Sequence, residues 1–316
     1  MRVVHSFAEL PGVARDVSLA IGVFDGVHRG HQAVIGRARA AADEAGGDAV
    51  VLTFDPHPLR VLAPDKAPPL LTSTPHKLRL IEALGVATCL VLRFDEHFAR
   101  TLPADFIATV AHSLPGLRRI CVGSRFRFGH HRAGDVALIR ALASRYGYQA
   151  EEIASVMAGD EMISSTAIRR HVQAGQLDRA AAMLGRPFSV LGTVAPGDQL
   201  GRQLGYPTAN LIPGNEVLPP DGVYAVRILV GGQWRGGMAN LGSRPTVAGD
   251  PAGRRLEAHL FDFTGDLYGA ELEVAFIASL RPEQQFASLA DLRAQLARDE
   301  QSARAILANR ADASVR

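Results

Sequence analysis

The string Gly22-Val23-Phe24-Asp25-Gly26-Val27-His28-Arg29-Gly30-His31 sets two imidazoles on either side of a glycine, where an apolar strand gives way to a helical pattern. Glycine permits tight turns and close backbone approach, and the free amides of a helix start attract an anion. His28 and His31 can then donate hydrogen bonds to phosphate oxygens as charge builds on them. That is equipment for holding the triphosphate of ATP, with Gly22, Phe24, Asp25, Gly26, His28 and His31 as candidate contacts, and it suits nucleotidyl transfer. In that reaction the acceptor phosphate attacks the α-phosphorus directly, so positioning and charge stabilisation supply the catalysis and no nucleophilic side chain is needed. Two histidines in such a turn can equally be caps and surface polar groups. Their place after a first strand and before an amphipathic helix favours function.

A second helix start, Ser164-Ser165-Thr166-Ala167-Ile168-Arg169, gathers hydroxyls and amides with a guanidinium one turn in. It could clamp a pyrophosphate leaving group, or be an ordinary cap on an arginine-rich helix. Further along, Gly201 opens a string that ends Tyr206-Pro207-Thr208-Ala209-Asn210. On a strand, Thr208 and Asn210 point to one side and could share a hydrated magnesium ion and its nucleotide phosphates. A turn entering a barrel strand is the plainer alternative.

Composition narrows the phosphate chemistry. Among 34 Lys and Arg residues the lysines are Lys66 and Lys77 alone, and neither lies in a Gly-x-x-x-x-Gly-Lys-Ser/Thr loop, so a Walker-type P-loop is excluded. Phosphates would be met by arginine, histidine, hydroxyls and backbone amides. The 32 acidic residues leave a formal charge of +2, which does not favour a nucleic acid or an anionic membrane as partner. Cys89 and Cys121 each lie in a short apolar run and read as buried structural thiols. With no apolar leader and no stretch long enough to span a bilayer, they suggest a reducing, cytoplasmic setting.

These residues need elements to position them. Up to about residue 185, apolar runs of strand length alternate with helical patterns, which predicts a parallel sheet wrapped by helices. The candidate strands are Val17 to Val23, Ala49 to Phe54, Thr88 to Phe94 and Arg119 to Val122. Between the first two, His31 to Ala45 puts Val34, Ala38, Ala41 and Ala45 on one helical face. Each strand is followed by polar or glycine-bearing residues, and ligands bind beyond the carboxyl ends of such strands. Ser164 to Leu184 reads as two short helices. From Pro187 to about Leu280, glycine and proline recur among β-rich runs at Gly222 to Val230, Leu256 to Phe263 and Leu272 to Ile277, which predicts a small antiparallel barrel or sandwich. Ser288 to Asn309 has helical spacing.

The order GVFDGVHRGH, TFDPHP (Thr53 to Pro58), VGSRFRFG (Val122 to Gly129) and ISSTAIR (Ile163 to Arg169) resembles the bacterial bifunctional riboflavin kinase/FAD synthetase family. The resemblance continues through GRQLGYPTAN (Gly201 to Asn210), DGVYAV (Asp221 to Val226), MANLGSRPT (Met238 to Thr246), LEAHLFDF (Leu256 to Phe263) and DLYG (Asp266 to Gly269). It implies an α/β chain with a Rossmann-like nucleotidyltransferase domain over 1–185, followed by an antiparallel β-barrel riboflavin kinase domain with a C-terminal helix over 186–316. The first would adenylylate FMN to FAD, with ATP held by the His28/His31 loop and by Ser164, Ser165, Thr166 and Arg169, and with the flavin near Phe54, Pro56, Pro58, Phe126 and Phe128. The second would phosphorylate riboflavin, with ATP and Mg2+ at Gly201, Thr208 and Asn210, Glu257 as the general base, and Arg281-Pro282-Glu283 with the helix after it closing the flavin site. On pattern alone Glu257 could equally be a solvent-facing strand residue.

One position departs from the family. An acidic or amide residue usually precedes the first phenylalanine of the third motif, and here it is Arg125. A narrower reading therefore keeps the kinase and impairs adenylyl transfer. A non-enzymatic reading has a flavin- or RNA-binding regulator on the same fold. Expected partners are the small molecules riboflavin, FMN and ATP, with the chain a monomer or weak homo-oligomer.

Overall fold

A computed structural model describes residues 1–10, 16–196, 201, 204–243 and 254–310. Arg202, Gln203 and 244–246, which belong to two of the motifs above, lie outside the described residues. The chain divides into two compact units, one of Met1–Pro68 with Thr74–Ser164, the other of Pro69–Ser73 with Ser165–Arg316. The change of sequence texture falls near 185, whereas this division by contact falls at 164/165.

The first unit is a six-stranded parallel sheet. Its strands are β1 (Arg2–Val4), β2 (Val17–Ile21), β3 (Ala49–Asp55), β4 (Thr88–Arg93), β5 (Leu117–Gly123) and β6 (Gln149–Ile153), in the order β1-β4-β3-β2-β5-β6. The inner strands are apolar throughout because both faces are covered. Leu19 and Ile21, Val50 and Leu52, Leu90 and Leu92, and Ile120 and Val122 face α5 (Pro103–Ser113) and α6 (Val136–Tyr146). The residues between them, Ala20, Val51, Cys89, Val91 and Cys121, face α1 (Arg29–Ala45) and α3 (Thr74–Glu82). Both cysteines are therefore free, buried core residues, as expected. Each large aliphatic side chain enclosed this way contributes about 1.5–3 kcal/mol.

Helix α1 begins two residues before the predicted start and ends on Gly46 in the left-handed conformation. Val34, Ala38 and Ala41 face the core as predicted, but Ala45 is exposed, because it lies in the last turn beyond the edge of the sheet's contact with the helix. The remaining α-helices of this unit are α2 (Pro58–Leu62) and α4 (Glu96–Ala99), and a short antiparallel pair, β7 (Met157–Ala158) and β8 (Glu161–Met162), follows β6.

In the second unit, α7 (Ser165–Gln173) and α8 (Leu177–Leu184) precede six antiparallel strands: β9 (Ser189–Ala195), β10 (Ala209–Pro213), β11 (Gly222–Val230), β12 (Gln233–Ser243), β13 (Arg254–Leu260) and β14 (Glu271–Arg281). They close as a barrel in the order β10-β13-β12-β11-β14-β9, so no edge is left unpaired. Helix α9 (Leu289–Asn309), capped by the Ser288 hydroxyl, packs Ala303 and Leu307 on Ala225, Met238, Ala275 and Ile277 of the barrel's outer face. Residues 69–73 are built into this unit: the Leu70 carbonyl accepts from the amides of Glu216 and Val217, and the Asn215 carboxamide donates to Leu71 O.

Candidate active sites

In the first unit, β3 and β4 lie on one side of β2 and β5 on the other, so the chain's order reverses at the carboxyl end of β2. A crevice forms at such a reversal, and the residues Gly22 to His31 occupy it. The turn is strained: Phe24, Gly26 and Val27 have φ of 54°, 82° and 40°, which costs of order 1–3 kcal/mol for each non-glycine residue. Phe24 and Val27, each 1 % exposed, offset that cost by inserting into the core on the α1 side. Gly22 has to lack a side chain, because a Cβ there would sit 2.7 Å from the Phe24 ring. Phe24 is thus enclosed by protein, and acts on the loop through its edge-on packing against His31, with centroids 5.3 Å apart.

His28 is the N-cap of α1, its Nδ1 accepting from the His31 amide at 3.2 Å. An accepting Nδ1 puts the proton of the neutral ring on Nε2, leaving one N–H donor. The rings of His28 and His31 stack at 3.5 Å and 17°, with Gly30 allowing the approach. Burial, then His28, then Lys77 hold the His31 imidazole well below its ordinary range. His31 Nδ1 has no hydrogen-bond partner among the described residues. The pair is an uncharged donor set at a helix start, suited to phosphate oxygens. Asp25, expected among the ATP contacts, is itself buried in this loop.

Next to this loop, Thr53 donates to Val23 O at 3.0 Å. Phe54, Phe126 and Phe128, widely spaced in sequence, join one aromatic chain through Phe94, Phe98 and Phe106, with Phe126 stacked on Phe128 at 5.3 Å. The linking phenylalanines were not singled out from the sequence. Pro56, in a cis peptide bond after Asp55, and Pro58, the first residue of α2, complete the loop after β3. Arg125 is exposed on the loop after β5.

Ser164 belongs to the first unit, but Ser165, Thr166 and Arg169 belong to the second. Thr166 is exposed, whereas Arg169 is 8 % exposed and its Nε donates to Pro69 O at 2.6 Å. The guanidinium is therefore committed at least in part to holding residues 69–73, a role not foreseen from the sequence.

The second unit carries a cavity of about 280 Å³ between the outer barrel face, the residues after β14 and the first half of α9. Gly201, Thr208, Asn210, Glu257 and Arg281, all singled out from the sequence, line it together. The barrel register explains how. Asn210 pairs with Glu257, Glu257 with Asn240, Asn240 with Val223, and Val223 with Arg281. Paired residues project to the same face, so one row across five strands carries two carboxamides, a carboxylate and a guanidinium. Gly201 is required where it stands, since a Cβ there would meet Tyr206 O at 2.3 Å.

Asn240, Tyr206 and His259 line the same cavity without having been singled out as site residues, and Glu283, expected beside Arg281, lines it too. His259 Nδ1 lies 2.8 Å from Pro207 O and so carries the proton, which leaves Nε2 as an acceptor. Asn240 Nδ2 donates to Glu283 Oε1 at 3.3 Å. Arg281 is engaged otherwise than expected. Its Nε donates to both oxygens of Asp299 on α9, at 2.9 and 3.2 Å, and its guanidinium lies over Phe286. It braces the helix that covers the cavity. Thr208 and Asn210 offer two neutral oxygens beside Glu257, a donor set that fits a mostly hydrated magnesium ion carried in on a nucleotide. No group of three His, Cys, Asp or Glu residues could hold a metal among the described residues.

Two family models match the chain, FAD synthetase over residues 11–167 and riboflavin kinase over residues 184–307. It is 40% identical over 305 residues to the bifunctional riboflavin kinase/FMN adenylyltransferase of Escherichia coli (strain K12), covering 96% of each chain. With the protein of the same description from Pseudomonas fluorescens it shares 38% identity over 308 residues, covering 98% of each. A crystal structure described as a macrolide-efflux protein from Streptococcus pneumoniae superposes with a TM-score of 0.80 at 28% identity, covering 96% of this chain and 98% of that one. No helix among the described residues is long and apolar enough to cross a membrane.

Proposed function

Because the chain belongs to the bifunctional riboflavin kinase/FMN adenylyltransferase family, we propose a division of its two activities between the two sites just described. It is an enzyme that converts riboflavin to FMN and FMN to FAD, both at the expense of ATP. The observation that carries the residue assignment is the meeting of Thr208 and Asn210 with Glu257 in one cavity, from two motifs well separated in the sequence.

In the barrel, Glu257 is the general base. It accepts the proton of the riboflavin 5′-hydroxyl as that oxygen attacks the γ-phosphorus of ATP, and ADP leaves. Asn210 and Asn240 flank it and can hold the carboxylate in place by their amide protons. Thr208 and Asn210 would hold magnesium, which neutralises phosphate charge when bound. Gly201 lets the backbone come close to the nucleotide. Arg281 acts on the flavin side through Phe286 and α9.

In the first unit, a phosphate oxygen of FMN attacks the α-phosphorus of ATP and pyrophosphate leaves. His28 Nε2–H and His31 stabilise the charge that develops on the phosphates, at the helix start framed by Gly22, Phe24, Asp25 and Gly26. The aromatic chain ending in Phe126 and Phe128, with Phe54, Pro56 and Pro58, receives the isoalloxazine. Ser164, the last residue of this unit, serves the pyrophosphate. The functional boundary lies near 185, supported by the start of the riboflavin kinase match at 184. The free, buried thiols suit a cytoplasmic enzyme, expected as a monomer or weak homo-oligomer working on small molecules, and the near-neutral charge does not suit RNA.

Incubation with riboflavin, ATP and magnesium, followed by chromatography, should yield FMN and then FAD. Recovery of riboflavin alone would overturn both assignments. A narrower reading rests on Arg125, exposed where relatives usually carry an acidic or amide residue; accumulation of FMN without FAD would establish it.

A further inference from the structure

Lys77, on α3, is one of two lysines in the chain and is 5 % exposed. Its Nζ donates to Phe54 O at 3.1 Å, Thr53 Oγ1 at 3.2 Å and Val23 O at 3.4 Å. An ammonium has three protons, and these acceptors account for all of them, so the group does not extend to a substrate. Val23 opens the His28 loop and Phe54 heads the aromatic chain. The lysine therefore spans the ends of β2 and β3 from which both halves of the site emerge, and Thr53 closes the triangle through its own bond to Val23 O.

Burial of an ammonium is costly, and methionine would pack in similar space without that cost. What the charge faces explains its presence. Burial lowers the Lys77 ammonium from its ordinary range, and Asp55, at the end of β3, then Asp25, on the loop after β2, oppose that effect and favour the charge. Cys89 on β4 and His31 on α1 face it as neutral groups, the thiol pushed up to about 12 by burial. Asp25 is a buried carboxylate within a loop meant for a triphosphate, and uncompensated it would repel the ligand.

We propose that Lys77 is a positioning residue for adenylyl transfer, fastening the ends of β2 and β3 together and supplying a fixed positive charge beneath the His28–His31 pair. The inference rests on the assignment of FAD formation to this unit. Burial first, then His28 and then the Lys77 ammonium keep His31 uncharged against the stacked His28 ring 3.5 Å away, and the lysine holds its positive charge on a fixed support.

The test is Lys77→Met, assayed for FMN and FAD formation across pH. Loss of the ammonium removes one of the groups that hold the His31 imidazole down, so the pH below which FAD formation falls should move up. The turnover number for FAD should drop roughly tenfold at neutral pH, with FMN formation at the wild-type rate. A folded K77M protein with the wild-type pH profile would overturn the proposal. Thr53→Val keeps the charge and removes one acceptor, so it decides the case if K77M does not fold. It should lower FAD turnover severalfold without moving the profile, and wild-type behaviour would refute the fastening role. Wild-type protein that makes FMN but no FAD would instead remove the assignment on which the inference rests.

Discussion

The two sites solve one problem, bringing ATP to a flavin, with opposite construction. In the first unit the chemistry is written into the backbone: a strained turn at the reversal of a parallel sheet, held by Phe24 and Val27 in the core and by Lys77 beneath. In the barrel the chemistry is in side chains, a row from Asn210 to Arg281 on an outer face made into a cavity by α9. The first kind of site should fail when its support is disturbed. The second should fail when one side chain is removed and tolerate changes around it.

The largest effect should come from Glu257→Ala. If Glu257 acts as the proposed general base, whose removal costs about 10²–10⁴ in rate, FMN formation should fall by that factor while FAD formation from supplied FMN is unchanged. Loss of both activities together would break the separation of the two sites. His28→Ala is the counterpart. It deletes the proposed phosphate donor and the cap of α1 at once, and should lower FAD formation about 10²–10³-fold with FMN formation retained. A matching loss of kinase activity would show that the sites are coupled.

The contrast in construction is sharpened by the same substitution in both units. At Gly22 a Cβ meets the Phe24 ring at 2.7 Å, and that ring is locked in the core. Gly22→Ala should therefore destabilise the first unit by about 1–3 kcal/mol in thermal or denaturant unfolding, and reduce FAD formation. At Gly242 a Cβ would overlap the carboxylate of Glu283, but Glu283 is exposed and can swing away. Gly242→Ala should leave unfolding within about 0.5 kcal/mol of wild type and raise the KM for riboflavin severalfold. Equal destabilisation by both would erase the distinction.

How far each site could be read from the sequence follows from the same difference. The inner strands were legible because a strand covered on both faces is a continuous apolar run, as Val17–Ile21 is. β1 has three residues and β6 reads Gln-Ala-Glu-Glu-Ile; these edge strands lack that signal and were missed. The histidine loop was legible because its turn chemistry is local. Lys77 was weighed only as a P-loop lysine, and its place under the loop depends on α3 packing beneath β2 and β3. In the barrel, Thr208, Asn210 and Glu257 stood out through motifs. Asn240 joins them only through the pairing of β12 with β13, which is not encoded at short range, whereas Glu283 was legible beside Arg281. Arg281 was noticed, but its engagement with Asp299 depends on where α9 lies.

The smallest expected effect concerns the support of the first site by charge. Glu151 on β6 accepts from Arg37 of α1 at 2.6 Å and from Arg119 of β5. Burial alone would push its carboxyl up, yet the hydrogen bonds and charges of Arg119 and Arg37 prevail and hold it below the ordinary range. A carboxyl lowered in the folded state gives stability that is fully present above its unfolded value, near 4.3, and is lost as pH falls through the folded one. Glu151→Gln should thus cost under about 1 kcal/mol at pH 7, because the three groups are about a quarter exposed and screened by solvent. The difference from wild type should shrink towards pH 3. FAD formation should change little, since the ion pairs fasten the outer turns of α1 to β5 and β6 while His28 and Phe24 fix its first turn. A large loss of FAD formation in E151Q would mean that the histidine loop depends on the whole of α1, and that the backbone-built site is held from farther away than its own turn.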